Sequence, residues 1–337
     1  MKRLHLVVIT ILFFLVLTSC KINENEVTKE NPIVWKLAHY STEEHAWNKG
    51  ALEFKKNVEQ MTNGRLKIEV YPNGQLGSEE EVLNGILAQT VDMTISAESM
   101  APFVPVANLM ATPYLYNSEE EIIDVMNSKF NDKISKKLEE GGFKPLMYQL
   151  RTPRNLTSNK EIHNASDAKN IKIRLPNAPL SITSWASVGA NTVVMGLSDT
   201  FTALNQGVVD SQENPYDLVY TQSFYDVQKY LIETNHVYGY LNFIVGKKQY
   251  DNLPDDIKTE LDKACQKTQK YINDLYFDTK DDYKIKLEDT NIEFIEDVDR
   301  DSFKEKMVDA IENYLDDDTF KLYQEIQFWL EERDEKN

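Results

Sequence analysis

From residue 33 onward the apolar positions of the chain switch between two periods. Residues 33–40 have strand character, and Trp47, Ala51, Phe54 and Val58 then recur at spacings of three and four, which predicts an amphipathic helix over about 44–62 stopped by Asn63-Gly64. Residues 66–72 alternate and close on a proline, a helix is expected over 78–87, and 91–95 is a short strand. Such a βαβαβ opening implies a mostly parallel sheet with helices on its faces.

The order then repeats with different content. A helix over 118–140 begins with a Ser-Glu-Glu-Glu capping signal, ends at Gly141-Gly142 and feeds the apolar stretch 145–150. Ile171, Ile173 and Leu175 alternate with Lys172 and Arg174. Next come a helix over about 180–188, a strand over 192–195, a helix over 198–206 and a short strand through Val208 and Val209. Residues 238–245 form another apolar strand, 254–289 a long helical tract, and 292–296 a last strand. The final segment, 301–332, carries Phe303, Met307, Ile311, Tyr314, Leu315, Leu322, Ile326 and Trp329 at mostly helical spacing. As one helix of 25 to 30 residues it would reach roughly 40 Å and could brace two domains. Periodicity alone equally allows a plain amphipathic helix on one core.

The N-terminus reads differently. Lys2 and Arg3 precede an apolar run over 6–17, the charge order and length of a secretory signal and too short for a spanning helix. The run ends Leu17-Thr18-Ser19-Cys20, which resembles a bacterial lipobox and implies lipidation of Cys20 as the first mature residue. Two acyl chains there would make a stable anchor, with polar residues 21–31 as a leash. Cys265 is then a lone thiol, unable to form an internal disulfide and best read as a small buried filler.

Composition narrows the function. The 337 residues include 55 acidic against 37 basic side chains, a formal charge of −18 that opposes a phosphate backbone and argues against nucleic acid as a partner. No Gly-x-Ser-x-Gly, Gly-x-Gly-x-x-Gly, P-loop, His-Glu-x-x-His or Cys-x-x-Cys is present, so nucleophile-elbow, nucleotide and zinc chemistry have no foothold. Ser166-Asp167-Ala168-Lys169 matches Ser-x-x-Lys without its partner motifs and reads as a helix cap. The five histidines are scattered, so no metal and no cofactor is expected. What stands out instead is polar residues at strand ends. Arg174, just before Leu175-Pro176-Asn177, could grip a carboxylate with two parallel charge-assisted hydrogen bonds. It could equally be a salt-bridged arginine on the polar face of a strand.

Three segments carry a family resemblance. Tyr71-Pro72-Asn73-Gly74-Gln75-Leu76-Gly77, Ile173-Arg174-Leu175-Pro176-Asn177 and Val208-Val209-Asp210-Ser211-Gln212-Glu213-Asn214-Pro215 resemble, in order and separation, segments of extracytoplasmic solute-binding proteins of tripartite ATP-independent periplasmic (TRAP) transporters, the dicarboxylate-binding-protein family, DctP. The similarity spans about residues 34–330. It implies an α/β, two-domain periplasmic-binding-protein-like fold with the ligand cleft between the domains and a long C-terminal helix bracing both. Domain I would comprise 32–152 plus about 240–279, domain II 153–239 plus about 280–300, and the brace 301–333, after a signal peptide over 1–19 and a linker over 20–31.

The resemblance also implies a function. A non-enzymatic, monomeric binding protein, lipid-anchored at the outer face of the cell membrane, would close around an organic acid and deliver it to an ion-driven TRAP permease. Arg174 matches the family's carboxylate clamp, Arg154 a second arginine twenty positions earlier, and Asn214 the amide that also holds the carboxylate. Glu79 and Glu98 fall where first-domain acidic residues meet ligand hydroxyls or amines, and Tyr40 and His39 would line the same cleft. Acidic groups opposite an arginine clamp suit a sugar acid such as a uronate, aldonate, ketogulonate or sialic acid. A C4-dicarboxylate binder, a ligand sensor feeding a signalling receptor, an adhesion module and a secreted hydrolase are the competing readings.

Overall fold

The computed structural model describes residues 27–334, so the signal segment, Cys20 and linker residues 20–26 lie outside the described residues. Among the described residues, nine strands form a single sheet. β1 (Ile33–Ala38) pairs in parallel with β2 (Leu66–Tyr71) and β3 (Met93–Ser96). Alternation along β1 buries Trp35 and Leu37 and leaves Val34 and Lys36 outside. Further along the chain come β4 (Phe143–Ser158), β5 (Lys172–Leu175), β6 (Asn191–Val194), β7 (Ser211–Asn214), β8 (Tyr230–Gly246) and β9 (Glu293–Ile295). Their spatial order is β2-β1-β3-β8-β4-β7-β5-β6, with β9 beside β8.

The two long strands join the halves. β4 and β8 run antiparallel along their whole length; the end of β8 carries β3 and the first parallel set, and the end of β4 carries β7 and the second. The stretches expected as short strands over 145–150 and 238–245 are parts of these strands of 16 and 17 residues. Register shifts interrupt their pairing on both sides of Arg154, so the sheet bends where the halves meet.

Three further expectations are corrected. Val208 and Val209 are not in a strand: Val208 is half exposed in a turn, and the strand is the polar Ser211–Asn214, all four residues buried. Its side chains bond one another and β4, as in Ser211 Oγ to Ser158 Oγ at 2.9 Å and Gln212 Nε2 to Thr157 Oγ1 at 2.9 Å. The segment 118–140 is two helices, Glu119–Met126 and Lys129–Glu140, because Ser128 ends one by donating to the Val125 carbonyl and caps the next by accepting from Phe130 N. The C-terminal brace is likewise two helices, Arg300–Tyr314 and Asp317–Asp334, rather than one. Leu315 is extended, and the Asp316 carboxylate accepts from Asp318 N and Thr319 N to start the second.

The two terminal helices still reach both halves. Phe303 packs on Trp185 of helix Pro179–Ser187, and Trp329 packs edge-on to Phe130 at 5.5 Å between ring centres. Lys137 to Asp318 at 3.0 Å and Arg333 to Asp124 at 2.6 Å add surface ion pairs. The longest described helix is Asp255–Thr279, seated on helix Ala46–Met61, where Asn57 Nδ2 donates to Thr268 Oγ1 at 3.0 Å. Cys265 lies buried on it, and burial pushes its thiol pKa up, the condition of an inert packing residue.

Candidate functional site

A cavity of about 510 Å³ opens between the two halves, beyond the carboxyl ends of β1, β3 and β5, where open α/β sheets place ligands. On the first half, Tyr40 follows β1, and its ring meets Trp47 edge-on at 5.0 Å. The turn after β2 wraps back onto the end of β1: Asn73 N and Gly74 N donate to the carbonyls of Ser41 and His39, both at 3.0 Å. Gly77, at φ +110°, adopts a backbone closed to side-chain-bearing residues. That turn delivers Ser78, whose reciprocal capping box with Glu81 starts helix Glu79–Leu87 and puts Glu79 in the cavity wall.

Glu79 and Glu98 occupy different environments. Glu79 accepts from Ser96 Oγ at 2.6 Å, but burial, aided by the Glu98 charge, raises its pKa to about 7. For Glu98 burial also opposes ionisation, yet the neighbouring Arg151 and Arg154 outweigh it and hold the carboxyl below its usual range. Arg151 grips Glu98 with two hydrogen bonds, of 3.3 and 2.8 Å.

The raised Glu79 gives a pH signature. Its folded form holds the proton more tightly than the unfolded chain does, so its stability contribution is fully present below about pH 4.5 and is lost as pH rises through about 7. Thermal melts of the unliganded protein should show this decline, and Glu79→Gln should flatten it; an unchanged slope in the variant would contradict the assignment.

Arg154 sits three residues after Arg151, a spacing that in regular β-structure points side chains to opposite faces. Between them β8 advances only two residues, Gly239 to Val237, and this one-residue bulge lets both arginines line the cavity. Arg154 is tied to Glu213: its Nε contacts Oε2, its Nη2 donates to Oε1 at 2.8 Å, and Nη2 also reaches Asn214 Oδ1 at 3.2 Å. Burial disfavours the Glu213 charge, but Arg154, with help from His236 Nε2 at 3.0 Å, brings its pKa to about 2.

Arg174 lies on the other wall. It is 3% exposed, and its Nε and Nη2 donate to the Met195 carbonyl at 3.1 and 2.8 Å. Among the described residues no carboxylate is within ion-pair distance of it. Burial and the nearby Arg154 lower its pKa to about 10, which still leaves it charged at neutral pH. Beside it begins helix Leu197–Asn205, whose N-cap is Gly196 and whose first turn, without a side-chain cap, lines the cavity, adding a positive dipole end. The deep charges are therefore three guanidiniums, two of them matched by Glu98 and Glu213.

Polar contacts among the described residues cross the cleft: Arg154 Nη1 lies 3.6 Å from Glu98 Oε1. Asn177 Nδ2 donates to Glu80 Oε2 at 3.0 Å, and His45 Nε2 lies 3.1 Å from Asp217 Oδ2. Of the residues singled out from sequence, Tyr40, Glu79, Glu98, Arg154, Arg174 and Asn214 all line the cavity. His39 does not: it is 2% exposed, faces Asn48 Oδ1 at 3.2 Å behind the wall, and burial lowers its pKa to about 4. Trp47, Arg151, Glu213 and His236 were not anticipated. Glu213 stands inside the quoted Gln-Glu-Asn-Pro segment, which was the available signal. Among the described residues no group of three His, Cys, Asp or Glu side chains is arranged to hold a metal.

The family model "Bacterial extracellular solute-binding protein, family 7" (DctP) matches residues 37–317. A solute-binding protein of Roseobacter denitrificans is 34% identical over 277 residues, 82% of this chain and 85% of that one. A crystal structure of a TRAP periplasmic solute-binding protein from that species, with bound L-galactonate, matches with TM-score 0.84 at 32% identity, covering 87% of this chain and 98% of that one. Another, from Haemophilus influenzae with bound L-gulonate, matches with TM-score 0.81 at 31% identity over 87% and 98%. A C4-dicarboxylate-binding periplasmic protein of Rhodobacter capsulatus is 32% identical over 72% of this chain and 73% of that one.

Proposed function

Because the chain belongs to bacterial extracellular solute-binding protein family 7, a family of transport proteins and not of enzymes, we propose that it captures a sugar acid with a single carboxylate and hands it to a TRAP-type permease. The observation that carries this reading is Arg174, a buried guanidinium on the cavity wall without a carboxylate partner among the described residues. One ligand carboxylate supplies the missing counter-charge, assisted by Asn214, by the uncapped helix start at Gly196 and by Arg154. Tyr40, Glu79 and Glu98 face the rest of the ligand and accept hydrogen bonds from its hydroxyls. A second carboxylate would meet Glu79 and Glu98 instead of a free cation, which favours the L-galactonate and L-gulonate class over C4-dicarboxylates.

Binding across the cleft favours the state in which the halves meet, and the ligand shifts that population by its differential affinity for closed over open forms. The halves divide at about 152–153 and 239–240, with 280–300 returning to the second. Cys20 carries the lipid, the mature chain acts as a monomer outside the cell, and the anchor keeps it near its permease.

A thermal-shift panel tests the ligand class. Aldonates and uronates should raise the melting temperature, with about 2.7 kcal/mol gained at a hundredfold excess over Kd, while succinate and malate leave it unchanged. A shift from the C4-dicarboxylates alone would replace the sugar-acid reading with the dicarboxylate one.

A further inference from the structure

In a chain of net charge −18, a basic groove lies on the outer surface of the first half. Lys29, Lys55, Lys56 and Lys67 line it, against Glu59 as its one lining carboxylate. Lys56 is paired with Glu53 at 2.9 Å and Lys55 reaches Glu59 only at 3.9 Å. Lys29 and Lys67 have no carboxylate within ion-pair distance among the described residues. Two large apolar side chains are exposed in the same area: Leu52 at 49%, and Val34, the register partner of Lys67, at 42%.

The groove runs from Leu52, midway along helix Ala46–Met61, to the end of the first half away from the cleft. β1 and β2 begin beside it and run six residues to the cavity, about 20 Å at ~3.3 Å per residue. Helix Ala46–Met61 measures the same distance from the other direction: Trp47 in its first turn lines the cavity and Gln60 in its last lines the groove. The chain also enters here. Val27 packs on the core and the Lys29 stem lies against Gly64. In the sequence Cys20 is only seven residues before Val27.

We propose that this groove is a membrane-facing surface, whose lysines engage anionic phospholipid headgroups while Leu52 and Val34 meet the interface. The acidic remainder of the molecule is repelled by the same headgroups, so the basic pole turns down and the cleft opens away from the bilayer, toward incoming solute. The attraction is short-ranged and salt-sensitive, which keeps the contact reversible for delivery. The orientation on the cell rests on the Cys20 anchor proposed above; the lysine contact does not.

The test is flotation of the chain beginning at Lys21, which lacks Cys20, with vesicles of phosphatidylcholine and phosphatidylglycerol in about a 2:1 ratio, and with pure phosphatidylcholine vesicles. At low ionic strength the protein should float with the anionic vesicles only, and salt should release it. Lys55→Glu/Lys67→Glu should bind about tenfold more weakly or worse, with Lys55→Gln/Lys67→Gln intermediate and melting temperatures unchanged. Equal recovery on both vesicle types, or folded charge-reversed protein that floats as well as the parent, would overturn the proposal. Mass spectrometry of Cys20 in the secreting cell reads the anchor separately: an unmodified thiol would overturn the anchored orientation and leave the vesicle result standing.

Discussion

Replacing Arg174 with alanine is expected to weaken organic-acid binding by about 2 to 5 kcal/mol, roughly thirty- to several-thousand-fold in Kd. The reason is the charge inventory of the cleft. Arg151 is matched by Glu98 and Arg154 by Glu213, so neither is free to serve as the first partner of an incoming anion. Arg174 is fixed by its two donations to the Met195 carbonyl yet has no counter-charge, so the ligand completes it. Its replacement leaves a desolvated carboxylate beside Asn214 and the helix start at Gly196 without the cleft's one unmatched cation. Arg174→Lys should not restore affinity, because a single ammonium cannot hold the Met195 carbonyl and a carboxylate in the same planar arrangement. Calorimetry giving less than a threefold loss for Arg174→Ala would remove Arg174 from the clamp.

The second large effect is on stability. Glu213 is 2% exposed and receives Arg154 on one side and His236 on the other. Taking away its charge leaves the buried Arg154 guanidinium with only Glu98, at 3.6 Å and already held by Arg151, as counter-charge, and one-sided removal from such a pair costs about 3 to 5 kcal/mol. For a chain of this size, Glu213→Ala should therefore melt roughly 4 to 8 °C lower. The loss should be strongly non-additive with Arg154→Leu, since the double variant no longer contains an unpaired charge. Additive losses in that cycle would show that Arg154 and Glu213 are not coupled.

How legible the molecule is from its sequence depends on where polarity and regular period part company. Apolar alternation locates β1, β2, β5 and β9 and most helices to within two residues, because their apolar residues recur at the element's own period even where, as at Arg174 in β5, an intervening polar residue is buried. It fails at β7, where Ser211, Gln212, Glu213 and Asn214 are all buried and satisfied by one another and by β4, so the neighbouring Val208-Val209 looks more strand-like than the strand itself. It also fails along the second half of β4, where the apolar stretch ends at Leu150 and Arg151, Thr152, Pro153 and Arg154 continue the strand. The bulge there has no hydrophobic signature, yet it brings Arg151 to the same cavity as Arg154. His39 is the converse case: it stands with Tyr40 at the end of the first strand, but adjacent residues there face opposite ways, and His39 turns to Asn48. The terminal helices show the limit of periodicity over a break, since Leu315 keeps the apolar pattern while Asp316 caps a new helix.

The most direct test of the account is a pair of calorimetric titrations, L-galactonate against galactitol, which share six carbons and a run of hydroxyls but differ in the carboxylate. Saturable binding of L-galactonate is expected and, for galactitol, a loss in the range given for removing Arg174, since the cleft's unmatched cation is what the acid satisfies. Galactitol binding within threefold of L-galactonate would contradict it, and would mean that the hydroxyl-facing wall around Glu79 and Glu98, rather than Arg174, selects the ligand.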